Sequence, residues 1–272
     1  MELIKGPLVT VRFLTGGAVG MAPAKLRPIL AYCRWCRLCR IGRACLEGCL
    51  MLITNPACPG VSGNWLDPDW WGSQARPVSA GGRGSAWFVD TDQGEMVLRQ
   101  YRRGGLIARL SERRYVFTGW QRTRSYREYQ LLRRLYDQGL PVPDPIAARA
   151  KRYGLFYEAA ILIRRIPGAV PLPEVDNLQD EGLWREVGRT IRRFHDAGLD
   201  HVDLNCDNVL VAGGEVYLID FDRCRLRLAD SGGSWRNRNL DRLHRSVAKR
   251  ITQVTSPRRT ALWQSLANEY HG

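Results

Sequence analysis

The chain has 272 residues, of which 44% are hydrophobic and 25% charged, enough for one large domain or two lobes around a real core. It contains no apolar run of about 18 residues or more, so it does not read as a membrane-integral protein. Its net charge is +14, and only Lys5, Lys25, Lys151 and Lys249 are lysines among 41 basic residues. The excess is therefore arginine, the better residue for bidentate contacts with carboxylate and phosphate. A surplus of this kind attracts nucleic acid, anionic membrane surfaces or acidic substrates.

Residues 1–50 differ from the rest, with eight Lys/Arg against two acids. Six of the eight cysteines lie at or before position 58. Cys33, Cys36 and Cys39 have the two-residue gaps of converging thiolates, but Cys45 and Cys49 break the common zinc and ferredoxin spacings. With no convincing secretory signal, a reducing cytoplasm fits better than disulfides. We expect residues 1–50 to be a poorly ordered Cys/Arg-rich extension, upstream of a true start at Met51.

Asn64 to Trp71 is a turn-rich aromatic entry segment. Residues 78–101 predict a β-hairpin, with a glycine-rich turn at Gly81-Gly82-Arg83-Gly84, a strand from Ala86 and a turn at Asp90–Gly94. The returning strand is Met96–Tyr101. Residues 123–138 predict a helix with Tyr126, Tyr129, Leu132, Leu135 and Tyr136 on one side. Gly139 ends it, and Pro141, Pro143 and Pro145 predict an extended link. A strand is expected over 156–163 and a turn at Pro167-Gly168. A second amphipathic helix is expected over 179–197, with Leu183, Val187, Ile191 and Phe194 inward.

After that helix comes His201-Val202-Asp203, then Asn208 five residues beyond Asp203. Strands at 209–211 and 216–219 follow, the second ending at Asp220. This order resembles the catalytic half of the protein-kinase-like superfamily, whose loop reads H-x-D-x-x-x-x-N and whose metal-binding Asp follows a hairpin. Phosphoryl transfer asks the protein chiefly for positioning and charge neutralisation. Asp203 would orient or accept the proton of the attacking hydroxyl. Asn208 and Asp220 offer the oxygen donors that suit Mg²⁺ beside ATP phosphates. Asp203 and Asn208 could otherwise do no more than cap turns.

The N-terminal half should then hold the nucleotide. Gly81, Gly82 and Gly84 would let backbone N–H groups approach phosphates. Arg99 stands where a strand should present a cation to the phosphates, and Glu128 on the next helix is its natural ion-pair partner. Arg99 or Glu128 could equally be ordinary surface charges. The fold class expected is α+β, bilobal and protein-kinase-like. Residues 51–143 would form a nucleotide-binding lobe with a small antiparallel sheet, and 144–272 a mainly helical catalytic lobe.

Residues 64–270 are more specifically similar to the 3-deoxy-D-manno-octulosonic acid (Kdo) kinases of lipopolysaccharide core synthesis. The matching stretches are 82–84, 98–106, Thr123 to Glu128, Gly139 to Arg149, His201 to Asn205, Ile219 to Cys224 and Trp235 to Ser246. In that family an Arg stands at the position of Arg99. The resemblance implies transfer of the ATP γ-phosphate, with Mg²⁺, to the 4-hydroxyl of Kdo on lipid A precursor. It further implies a peripheral position on the anionic cytoplasmic face of the inner membrane, with no nucleic acid and no obligate protein partner. Arg102, Arg103, Arg109, Arg113, Arg114, Arg122 and Arg124 could meet acidic groups there. The rival readings are another small-molecule or protein kinase of this fold, and a catalytically inactive basic binding module. No D-F-G or A-P-E motif appears, and few residues follow Asp220, which disfavours a protein kinase. Cys206 reads as a small buried filler.

Overall fold

A computed structural model of the protein describes residues 10–14, 49–78, 85–101, 114–228 and 233–272. The glycine-rich turn, Cys33 to Cys45 and Arg102 to Arg113 lie outside the described residues.

The first strand, β1 (Thr10–Leu14), pairs antiparallel with β2 (Leu50–Thr54), in register from Thr10↔Thr54 to Leu14↔Leu50. Its β-branched and aromatic residues suit a strand. A short helix, α1 (Pro68–Trp71), follows in the aromatic segment, capped by the Asp67 carboxylate accepting from the Asp69 N–H. Trp65 and Trp71 meet edge to face there, and the Trp71 indole N–H donates to the Trp65 carbonyl.

Strand β3 (Ala75–Pro77) then leads to the expected hairpin of β4 (Ala86–Thr91) and β5 (Gly94–Gln100). Gly94 turns it at φ +101°, a region that only glycine enters freely. The short β6 (Tyr115–Val116) precedes α2 (Arg124–Asp137). Two long strands come next, β7 (Pro145–Tyr153) and β8 (Phe156–Arg164). The sheet order is β1-β2-β7-β8-β5-β4-β3, with β6 also on β8.

The expected boundary at 143/144 is therefore corrected: β7 and β8 are inner strands of this sheet. Pro141 to Pro145 link α2 to β7 instead of dividing sheet from catalytic half. The alanines at 147, 148 and 150 are all buried, but alanine gives little strand signal. Helix α2 buries Ser125, Glu128, Tyr129, Leu132 and Leu135, whereas Tyr136 is exposed beneath the Arg133 guanidinium. That corrects its expected inward face.

Beyond the sheet come β9 (Val170–Pro171) and α3 (Glu181–Asp196), whose Leu183, Val187, Ile191 and Phe194 are buried as expected. Asp180 caps α3 by accepting from the Gly182 N–H. Then come β10 (Leu199–Asp200), the hairpin of β11 (Val209–Ala212) and β12 (Glu215–Leu218), and β13 (Arg225–Leu226). Strand β10 pairs with β13, and β11 lies between β12 and β9. Two helices close the chain, α4 (Ser234–Arg250) and α5 (Ser256–His271). Neither is evident from the sequence, because so much of α4 is arginine.

Helices α3 and α5 approach closely at Gly188, where a Cβ would stand 2.3 Å from the Leu266 carbonyl oxygen. The chain forms two units. One comprises residues 1–87, 98–126 and 146–162, and the other residues 88–97, 127–145 and 163–272. The first is mostly sheet and the second mostly helical, which gives the α+β class expected.

Candidate active site

The loop after β10 is built by its own side chains. Asn205 Oδ1 accepts from the N–H groups of Asp207 at 3.0 Å and Asn208 at 3.2 Å, capping a 3-10 turn. The amide nitrogens of Asn205 and Asn208 both donate to the Asp203 carbonyl at 3.0 Å. These side chains therefore do shape turns, and more than that. With its nitrogen committed to a carbonyl, Asn208 keeps Oδ1 as an acceptor. The side chain of Asp203 is half-exposed, and Asn208 lines the same cavity.

Asp220 follows β12 at φ +65°, the one non-glycine residue with positive φ among the described residues. Asp tolerates this left-handed region better than most residues but at a cost in strain. Its neighbour Ile219 is held by the catalytic loop: its N–H donates to the Asn208 carbonyl at 3.1 Å, and its carbonyl accepts from His201 Nε2 at 3.0 Å. A carbonyl only accepts, so Nε2 carries the proton. Burial pushes the His201 pKa down, with the Ile219 contact opposing it. The ring is thus neutral, and it fixes the start of the Asp220 turn.

Beneath the loop lies a buried charged anchor. Asn239 on α4 accepts from the His201 N–H at 2.9 Å and donates to Asp200 Oδ1 at 3.1 Å. Asp200 Oδ2 accepts from Arg227 at 2.7 and 2.9 Å and from Arg225 at 3.2 Å. Burial pushes the Asp200 carboxyl up, but the Arg227, Asn239 and Arg225 donors outweigh it and hold the group below its usual range. Gly198 lets the chain pass: a Cβ there would meet the Arg227 carbonyl oxygen at 2.7 Å.

Asp203, Asn208 and Asp220 line one cavity of about 600 Å³. Its opposite wall is α4, which contributes Arg242, Arg245, Lys249 and Arg250. Arg242 Nη1 donates to Asp203 Oδ1 at 2.8 Å, and Arg250 grips both oxygens of Asp207 at 2.8–3.1 Å. The sequence reading missed these α4 residues. Their signal was present, since positions 242, 245 and 249 share one helix face. Cys206 is buried, with Sγ 2.9 Å from Ser246 Oγ, and burial first raises its thiol pKa. It is the filler expected.

Among the described residues no cluster of three or more His, Cys, Asp or Glu could hold a metal. Asn208 could offer an amide oxygen and Asp220 a carboxylate, donor types that suit a hard cation taking its other ligands from phosphates and water. Glu128 is buried on α2, and its carboxylate adds to burial in raising the Cys224 thiol pKa. The Cys224 thiol in turn donates to the Asp220 carbonyl at 3.8 Å. Arg99 lies half-buried on β5 in the sheet unit, its guanidinium 5.1 Å from the Tyr101 ring centre. Gly81, Gly82 and Gly84 fall outside the described residues.

Residues 68–270 match the lipopolysaccharide kinase (Kdo/WaaP) family. The chain belongs to this family. Among its relatives, a 3-deoxy-D-manno-octulosonic acid kinase of Xylella fastidiosa (strain M12) is 53% identical over 184 residues, covering 67% of this chain and 73% of that protein. The kinase of the same name from Xanthomonas campestris pv. campestris (strain B100) is 52% identical over 186 residues, 68% of this chain and 74% of its own. Among solved structures, an aminoglycoside-3'-phosphotransferase of type VIII aligns with a TM-score of 0.50 and 16% identity, covering 73% of this chain and 87% of that one. WaaP in complex with acyl carrier protein aligns with a TM-score of 0.48 and 16% identity, over 75% of this chain and 81% of that one. As a member of the Kdo/WaaP family the chain is a phosphotransferase that uses ATP, and the inactive-module reading is set aside.

Proposed function

We propose that this kinase transfers the γ-phosphate of ATP to the 4-hydroxyl of a Kdo residue on lipid A precursor. The observation that carries the reading is the convergence of Asp203, Asn208 and Asp220 on one cavity with a cationic wall. Asp203 receives the proton of the acceptor hydroxyl as its oxygen bonds to phosphorus and the bond to the ADP oxygen breaks. Asn208 Oδ1 and the Asp220 carboxylate would hold Mg²⁺, which when bound neutralises phosphate charge. The neutral His201 ring and the Asn208–Ile219 contact keep those donors in register. Arg99, with Gly81, Gly82 and Gly84, would serve the nucleotide, and Glu128 would steady the Arg99 side chain.

The name of both relatives, their identity to this chain and the anionic character of such an acceptor support this assignment. The reading also places the protein peripherally on the cytoplasmic face of an inner membrane. No helix among the described residues is long and apolar enough to cross a bilayer, and an arginine surplus suits an anionic surface. The test is transfer of label from ATP to Kdo-lipid A precursor with Mg²⁺, using wild type and Asp203→Ala. Label in the lipid from wild type, falling about 10²- to 10³-fold or more in the variant, is the expected result. Equal transfer by both proteins would defeat the assignment of Asp203. Turnover of ATP without label in the lipid would defeat the acceptor.

A further inference from the structure

Helix α4 has two faces that meet at the active site. Trp235, Asn239, Leu243 and Val247, four residues apart, are buried. On the flank beside them, Arg242, Arg245 and Lys249 line the cavity of Asp203 and are exposed. Two of the cavity's charges are already matched, Arg242 on Asp203 and Arg250 on Asp207. Arg245 and Lys249 have no ion-pair partner among the described residues, and Asp220 belongs to the metal-donor pair. Like charges four apart on a helix repel modestly. The wall is therefore an arrangement that an anion would stabilise.

The position of the wall says which anion. Arg242 touches the residue that meets the acceptor hydroxyl, so the row lies on the acceptor's side of the reaction. A second cavity, of about 250 Å³, shares Arg242 and Arg245 with the first and adds Arg225 and Arg238 together with Asp200, which Arg225 pairs, and Asp241. Arg242 and Arg245 thus border both cavities.

We infer that Arg242, Arg245 and Lys249 form an anion subsite for the acceptor. A carboxylate of an acidic sugar, or a phosphate on the same acceptor, docks on Arg245 and Lys249. In doing so it draws Arg242 off the Asp203 carboxylate, leaving that carboxylate to receive the hydroxyl proton. Charge-assisted, bidentate contacts of this kind fix orientation as well as affinity. The subsite would discriminate against neutral acceptors, which offer Arg242 no alternative partner. This inference rests on the reading of Asp203 as the residue at the acceptor hydroxyl.

The experiment is steady-state transfer by the full chain, comparing wild type with Arg245→Ala/Lys249→Ala. The acceptors are Kdo-lipid A precursor, its Kdo methyl ester and its dephosphorylated form. Sulfate binding to the metal-free protein is followed alongside by thermal shift. The double variant should raise the acceptor KM by about 10- to 100-fold and leave the KM for ATP within about threefold. Wild type should lose the same factor on whichever acceptor lacks the docking anion, while the variant loses nothing further on it. Loss with the methyl ester identifies the carboxylate, and loss with the dephosphorylated form identifies the phosphate. A rise in the ATP KM instead would overturn the inference, since the wall would then serve the nucleotide. So would an unchanged acceptor KM. If wild type transfers nothing to this lipid, the acceptor reading falls and sulfate decides the subsite. Sulfate stabilising wild type but not the variant supports it, and equal stabilisation rejects it.

Discussion

Replacing Asn239 by leucine tests whether the catalytic loop hangs from α4. The side chain is buried, branches at Cγ as leucine does, and makes two hydrogen bonds that leucine cannot make. Removing its Oδ1 leaves the buried His201 N–H without that acceptor, a loss of about 1–3 kcal/mol. Removing its Nδ2 takes one donor from the Asp200 carboxylate, about 1.5–3 kcal/mol for a bond to a charged group. Arg227 and Arg225 remain on Asp200, so the lower half of each range applies. The expected destabilisation is about 3 kcal/mol, a large share of the roughly 5–15 kcal/mol typical of native proteins. Urea unfolding followed by circular dichroism measures it, and turnover should fall as well, because His201 fixes the Ile219 carbonyl before Asp220. The Asn239→Asp variant supplies an internal check. It restores an acceptor for His201 but sets a second carboxylate against Asp200, so its deficit should shrink as pH falls. A leucine variant within about 0.5 kcal/mol of wild type and with unchanged turnover would refute the anchoring role.

The backbone of Asp220 supplies a second expectation. An Asp220→Gly variant relieves a positive φ and should gain up to about 1 kcal/mol in unfolding free energy while losing turnover and metal-dependent nucleotide binding; a destabilised variant would count against strain there. Gly188→Ala places a methyl group 2.3 Å from the Leu266 carbonyl oxygen. Since backbone must move, overpacking of about 1–3 kcal/mol or more is expected, read as a lowered unfolding midpoint, and a neutral effect would disprove the close approach of α3 and α5. His195 is buried, its Nδ1 2.7 Å from the Tyr270 hydroxyl oxygen, and burial followed by Arg236 lowers its pKa to about 4. The unfolded chain, with His at about 6.5, therefore binds more protons between those values, so stability is full above pH ~6.5 and falls by roughly 3 kcal/mol as pH drops to 4. Unfolding at pH 7 and 5, with an NMR titration of the imidazole, checks this; a His195 ring charged in the folded protein at pH 6 would contradict it.

The order of the active-site groups was legible without a structure because its signals are local. The His201–Asp203–Asn208 spacing sits between a helix with an apolar stripe and a hairpin ending at Asp220. The buried faces of α3, β11 and β12 follow from periodicities of 3.6 and 2. Strand β7 was hidden because its buried residues are mainly alanines and its start is proline, neither of which announces a strand. The Asn205 and Asn208 side chains do shape the loop, as residues of their type commonly do.

Packing alone sets which remote residues stand beside those groups. Arg242 reaches Asp203 from 39 positions away, and Asn239 reaches His201 from 38. Nothing in the local pattern separates an arginine that pairs with Asp203 from one on a solvated helix face, because both are exposed and flank the same buried stripe. The chemistry the chain carries is written in residue types and short spacings. The fold decided the charge that surrounds that chemistry, since the field at Asp203 depends on where α4 packs.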